Sequence, residues 1–338
     1  MEQVRLGMIG AGFMGNIHAK VGAELSGVEI VAVADIDERR ARSVAASYGG
    51  QPYLDYREML AKEQLDAVII TTPEGDHRDP GVAAAEAGCH VFMEKPLATT
   101  LEDADIIIQA CQNAKVQLMT GYILRFEACY AAIHKAVTNG EIGTFLSAYA
   151  RRNATIQEGR RLGGRTSVIN YLAVHDVDQI LWYRPEHKVR KVSAKVVKGR
   201  LMEEVGVPDF SWLMIEFADG ALGVVECGWA MCEGWGGFTD VKMNVIGTQG
   251  VLSLDFNPMN LIQVTSDRGW TFPETRHWPI VNDRLAGAAL LEISHFIDCV
   301  RANRTPLVDG AAGRRSLEVA LAAERSVVEE REVILPGS

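Results

Sequence analysis

A short apolar segment running into a glycine triplet constrains this chain more than any other feature. Residues 4–15 read Val-Arg-Leu-Gly-Met-Ile-Gly-Ala-Gly-Phe-Met-Gly, so Leu6, Met8 and Ile9 lead directly into Gly10, Gly12 and Gly15. This is the G-x-G-x-x-G spacing at a strand-to-helix turn. Gly10 permits the tight turn, Gly12 lets a pyrophosphate approach the backbone, and Gly15 lets the next helix pack close to the strand. The N–H groups and dipole of that helix would face the phosphates, with Phe13 and Met14 in the loop itself. Asp35 follows Gly15 by twenty residues, at the end of the β-rich run 28–34. In a βαβ unit an acidic residue there reaches the adenosine ribose, with Ile36 beside it. A carboxylate repels a 2′-phosphate, so NAD is expected, and Arg39 and Arg40 keep NADP open. The plainer reading is that Asp35 caps a helix starting near Glu38.

Strands and helices then alternate. Residues 66–70 form an apolar strand ending in Thr71-Thr72-Pro73, residues 89–93 another ending in Glu94-Lys95-Pro96, and residues 116–119 a third closed by Gly121. Helical patterns fall at about 38–47, 56–62, 78–87 and 100–113. This alternation predicts an α/β fold with a doubly wound parallel sheet over residues 1–122, a dinucleotide-binding Rossmann domain. Ligands bind at the carboxyl ends of such strands, where Gly10, Asp35, Thr71, Glu94, Lys95 and Tyr122 converge. From about residue 144 the pattern changes. Segments 145–152, 189–197, 210–217, 222–227, 241–246 and 261–264 read as strands with turn signals between them. Residues 123–338 are therefore expected to form an α+β domain with a large, mostly antiparallel open sheet, for substrate binding and oligomerisation. Its helices fall at about 166–183, 284–302 and 313–330, the last a candidate to pack back on the first domain.

The formal net charge is −10 and no basic run is concentrated, which argues against nucleic acid or an anionic membrane as partner. Six cysteines without a Cys-x-x-Cys pair suit reduced thiols rather than a zinc site or a disulfide framework. With no signal peptide or membrane-length apolar stretch in this sequence, a cytoplasmic protein is expected. Scattered histidines show no ligand spacing, so no metal is expected.

Two further stretches carry candidate chemistry. Pro96 restricts Lys95 to extended backbone, which aims the lysine at the ligand edge. In residues 169–183, Tyr171 and His175 lie four apart and would share one helix face. Oxidising a secondary alcohol needs a base at its hydroxyl and a carbinol hydrogen aimed at the nicotinamide. His175 suits proton acceptance near neutral pH, and Tyr171 could relay a proton or hold a substrate hydroxyl. Lys95, partly desolvated beside a cationic ring, would have a lowered pKa and stabilise a developing alkoxide. Substrate contacts are expected from Tyr122, Arg125, Arg152 and Asn153, together with Tyr171 and His175. Gln157 and Arg165 are further candidates. His77 is expected to line the cofactor cleft, and Trp229 and Trp235 to lie in a glycine-rich loop.

The chain resembles the Gfo/Idh/MocA oxidoreductases. The resemblance rests on the glycine loop, on Thr71-Thr72-Pro73 followed by His77, and on residues 87–97 ending Met93-Glu94-Lys95-Pro96-Leu97. Gly121-Tyr122 with Arg125-Phe126, Gly140-Glu141-Ile142-Gly143, His175-Asp176-Val177-Asp178 and Glu292 with Phe296-Ile297 also match. It implies a Rossmann domain and a second domain whose open sheet builds homodimers or homotetramers. It also implies hydride transfer between nicotinamide and a sugar, cyclitol or polyol carbon. Lys95 and His175 would be the active-site lysine and histidine, with Glu94 and Lys95 at the nicotinamide ribose. One departure stands out. Many members carry Asp four residues before the histidine, where this chain has Tyr171, with Asn170 beside it. A glycosidase using tightly held NAD, and a non-catalytic NAD sensor, are the alternatives on the same scaffold.

Overall fold

The structure is a computed structural model that describes residues 3–256, 261–267 and 269–335. The chain divides into two compact units, residues 1–127 with 275–317, and residues 128–274 with 318–338. Residues 275–317 thus group with the first unit, a return that a single cut at 122/123 does not include.

In the first unit six strands form a parallel sheet: β1 (Val4–Ile9), β2 (Val28–Ala34), β3 (Gln51–Tyr53), β4 (Ala67–Ile70), β5 (His90–Glu94) and β6 (Leu118–Gly121). Their order is β3-β2-β1-β4-β5-β6. Strand β4 is buried along its whole length, as an apolar run must be when helices cover both sheet faces. Helices α1 (Phe13–Glu24), α2 (Glu38–Tyr48), α3 (Tyr56–Lys62), α4 (Arg78–Glu86) and α5 (Leu101–Ala114) connect the strands. Asp37, Asp55 and Thr100 cap α2, α3 and α5, each accepting a bond from a first-turn N–H. The sheet order reverses at β1/β4, which puts the glycine loop at the switch point where ligands bind. The returning segment is built into this core. Phe296 meets Phe92 edge-on at 5.7 Å, the Thr120 N–H donates to Val308 O at 2.8 Å, and Arg276 pairs with Glu127 at 3.1 Å.

In the second unit the sheet strands are β7 (Phe145–Thr155), β8 (Val189–Val197), β9 (Phe210–Phe217), β10 (Leu222–Met231), β11 (Thr239–Gly247) and β12 (Val251–Asp255). Two small hairpins follow, β13 (Gln263–Thr265) with β14 (Gly269–Thr271) and β15 (Ile280–Val281) with β16 (Arg284–Leu285), the second of them in the returning segment. Strand β17 (Val333–Ile334) closes the seven-stranded order β12-β11-β7-β10-β9-β8-β17. All pairs are antiparallel except β7 with β10. Helices α6 (Ala128–Thr138), α7 (Ile156–Leu162), α8 (Val174–Trp182) and α9 (Arg200–Val205) belong to this unit. Helix α10 (Ala288–Ala302) lies in the first unit, and α11 (Gly310–Glu329) runs from the first unit into the second. Among the described residues no helix is long and apolar enough to cross a membrane.

Several elements escape the sequence patterns. Strands β3 and β12 are short or mostly exposed. Helix α7 carries Gly159 in its interior, a poor helix former. Packing overrides that preference, because a Cβ at 159 would stand 2.5 Å from Leu201 and 3.0 Å from the Trp229 ring. The strand expected at 261–264 is half of the β13–β14 hairpin, outside the large sheet. Strand β10 runs on to Met231, so Trp229 is a buried strand residue and not part of a glycine-rich loop.

Candidate active site

The glycine loop has the geometry its sequence predicts, for three different reasons. Gly10 has φ +95°, and a Cβ there would lie 2.8 Å from the Thr71 backbone. A Cβ at Gly15 would lie 2.1 Å from Gly10 O. Gly12 is different: its φ is −74° and a Cβ would meet nothing within 4 Å. The protein's own packing therefore does not demand glycine at 12, whereas a phosphate approaching the backbone does. Helix α1 begins there with no side-chain cap and no acidic residue in its first turn, leaving its N–H groups to an anion. Thr71 locks the turn, donating from Oγ1 to Gly10 O at 2.8 Å, while Thr72 donates to Asp76 O at 3.2 Å and Pro73 starts the following turn.

Asp35 is not a helix cap, since Asp37 does that work. Its carboxylate accepts from the Ala11 N–H at 2.7 Å and from the Asp37 N–H at 2.8 Å, which ties the end of β2 to the glycine loop. Phe13 and Ile36 are 69 % and 95 % exposed beside it, apolar side chains turned outward next to a polar loop. Met14 is half-buried. Trp278, from the returning segment, meets Phe13 edge-on at 5.6 Å. Sequence reasoning missed Trp278, because nothing local connects residue 278 with residue 13.

At the end of β5, Glu94 is buried and strongly held. Its Oε1 lies 2.7 Å from His18 Nε2 on α1, and its Oε2 accepts the Lys95 N–H at 3.0 Å. Burial opposes its charge, but the His18 bond and the neighbouring His18 and Lys95 charges outweigh that and hold its carboxyl below the usual range. Lys95 follows, half-buried, with a cis bond to Pro96. His77 is the residue expected to line the cofactor cleft. It is fully buried, with Nδ1 3.0 Å from Pro96 O and Nε2 3.0 Å from Thr72 O. Burial pulls the imidazole below its ordinary value against the pull of the carbonyls, and the ring bridges the β4 and β5 end loops. Glu292 on α10 was noted only as part of a motif. It is fully buried, neither carboxyl oxygen has a hydrogen-bond partner among the described residues, and burial and then Glu94 push its acid well above the ordinary range. Tyr122 and Arg125 are buried too, and Arg125 donates to Leu307 O at 3.3 Å.

In the second unit a π-turn, Ile169–Ala173, precedes α8, with the Val174 N–H reaching back five residues to Ile169 O. The residues from Leu172 to Trp182 are buried except His175, and Tyr171 is half-buried like it. The two side chains named from sequence are thus the ones this helix brings toward the surface. The Tyr171 hydroxyl donates to Glu158 Oε1 at 2.6 Å, and Arg161 Nη2 lies 3.3 Å from the phenol oxygen. Burial, then Glu158, pushes the phenol far above its ordinary value, so Tyr171 remains protonated.

Two expected substrate contacts have partners within the protein. Arg152 is buried and forked onto Asp176 at 2.6 and 3.0 Å, with Tyr130 at 3.0 Å. Asn153 donates to Glu226 at 2.9 Å. Adjacent residues of a strand face opposite ways, so Arg152 anchors α8 while Asn153 shares the other sheet face with Tyr149 and Arg151. A polar triplet in sequence is therefore not a patch in space.

This architecture defines an oxidoreductase-type protein with a dinucleotide-binding first unit. Residues 4–122 match the model of an oxidoreductase family with an NAD-binding Rossmann fold, and residues 130–253 match the GFO/IDH/MocA C-terminal domain. The chain is 31% identical over 332 residues to scyllo-inositol 2-dehydrogenase (NAD(+)) of Bacillus subtilis, covering 96% of this chain and 94% of that one. It is 29% identical over 339 residues to myo-inositol 2-dehydrogenase of Thermotoga maritima, with 98% of both covered. A crystal structure of a probable dehydrogenase from Thermotoga maritima superposes with a TM-score of 0.82 at 26% identity, covering 98% of each chain. The chain belongs to the Gfo/Idh/MocA oxidoreductase family, and NAD is its cofactor.

Proposed function

We propose that this chain is an NAD-dependent dehydrogenase acting on a secondary alcohol, or the matching ketone, of a cyclitol, sugar or polyol. The observation that carries the reading is the intact cradle at Gly10, Gly12 and Asp35 in a chain similar over 96% of its length to an inositol 2-dehydrogenase. When bound, NAD supplies hydride acceptance and return. The chain's own residues do the rest. His175 takes the hydroxyl proton, since a neutral imidazole carries a nitrogen lone pair that can accept it. Lys95, its backbone fixed by Glu94, stabilises developing alkoxide charge. Tyr171 stays protonated and binds substrate through its phenol.

The test is a panel of inositols, sugars and polyols with NAD, followed by NADH absorbance. Turnover of at least one is expected, whereas NAD binding with no turnover of any alcohol or ketone would sink the reading. Cleavage of a chromogenic glycoside without NADH release would replace it with the glycosidase reading. We further propose that the chain assembles into homodimers or homotetramers through the second-unit sheet. The support is the sheet face carrying exposed Trp212, Met214, Ile246 and Val251.

A further inference from the structure

Tyr171 stands four residues before His175, and a carboxylate meets its hydroxyl in space. It comes from a different element. Glu158 lies in the first turn of α7, only 8 % exposed, and its Oε1 accepts the Tyr171 hydroxyl at 2.6 Å. Arg161, one turn on, forks onto the same carboxylate at 2.8 and 2.5 Å and also donates to the phenol oxygen at 3.3 Å, so a substrate donor is a second bond to that oxygen. The seat of this cluster is built with little slack. Trp229 is buried with its ring centroid 5.5 Å from that of Tyr171, and α7 packs on the same indole through Gly159. One tryptophan thus sets the position of both partners.

We propose that Glu158 is a positioning residue that determines substrate specificity, by committing the Tyr171 proton to itself so that the phenol meets substrate through its oxygen, as an acceptor. A phenol has one proton to donate. With that proton held by an ionised, arginine-paired carboxylate, Tyr171 favours a substrate group that donates, namely a hydroxyl. It disfavours an ether, a deoxy carbon or a carbonyl at the same place. The inference rests on the proposed dehydrogenase reading and adds to it the polarity of one substrate contact.

The test uses the full-length protein and has two arms. In the first, the phenol is titrated by ultraviolet difference spectroscopy, with Tyr171→Phe as the blank, in wild type and Glu158→Gln. Coupling predicts that Glu158→Gln lowers the Tyr171 titration point, and no movement overturns the proposal. This arm needs no turnover, so it stands even if the dehydrogenase reading fails. In the second arm, kcat/KM is compared for inositols and their mono-O-methyl and monodeoxy derivatives. Loss of one neutral hydrogen bond corresponds to roughly three- to tenfold in kcat/KM. Wild type should prefer the hydroxylated compound by about that factor at one ring position. Glu158→Ala should erase the preference mainly through KM, and Glu158→Asp should restore part of it. Tyr171→Phe should behave as Glu158→Ala does, and the double variant should be no worse than either. Unchanged selectivity in Glu158→Ala, with circular dichroism and NAD affinity intact, would overturn the proposal, as would fully additive effects.

Discussion

Replacing Glu292 with glutamine tests the buried half of the first unit most directly. Glu292 is fully buried on α10, without a hydrogen-bond partner among the described residues for either oxygen, near a Glu94 whose charge is held by His18 and Lys95. Two carboxylates in one buried place do not both ionise, so the proton resides on Glu292. Its folded value is raised, whereas the unfolded chain ionises near pH 4.3. Between those two values the folded state holds one more proton than the unfolded state, so stability falls as pH rises, and it is greatest below the unfolded value. The slope is about 1.4 kcal/mol per pH unit, or about 2.7 kcal/mol across two units inside that window. Glutamine cannot ionise. Glu292→Gln should therefore gain on wild type as pH rises from 5.5 towards 7.5, by up to about that slope while the pH stays below the folded value, whatever its stability at the starting pH. The assay is urea denaturation at pH 5.5, 6.5 and 7.5, following the transition that NAD shifts, since only the state that binds NAD is stabilised by it. An infrared band of a protonated carboxyl, lost in the variant, is the companion measurement. A stability difference that stays constant over the three pH values would refute the assignment.

The three loop glycines should separate by substitution. Gly12→Ala should leave the stability of the cofactor-free protein within about 0.5 kcal/mol while weakening NAD about tenfold or more by calorimetry. Gly10→Ala, forced to φ +95° against the Thr71 backbone, should lose about 1–3 kcal/mol in the same denaturation assay. Lys95→Ala should cut turnover by about a hundredfold or more and change NAD affinity only a few-fold, read by steady-state rates beside calorimetry. Trp212→Glu should convert an assembled species to monomer in sedimentation velocity, and a wild-type monomer at micromolar concentration would remove the case for assembly through that face.

The sequence by itself determined the parallel sheet of residues 4–121 and its cradle, because the chemistry there is local. A strand, a G-x-G-x-x-G turn and an acid at the end of the next strand lie within 35 residues, and backbone conformation and periodicity carry the signal. Most strands of the second unit were equally legible from alternation. What only the tertiary structure decided involves groups far apart in the chain. Polar side chains read alike in sequence whether they face a ligand or a buried partner, so Arg152 and Asn153 looked like one patch until pleating sent them to opposite faces. His77 looked like a cleft residue until both its ring nitrogens proved to hold backbone carbonyls. The carboxylate that the Tyr171 hydroxyl meets, Glu158, lies on a helix whose interior glycine hid it. Trp229, a strand away, is what makes that glycine necessary. Local pattern fixes which elements form, but their packing decides which side chains meet, and the chemistry of this second unit depends on those meetings.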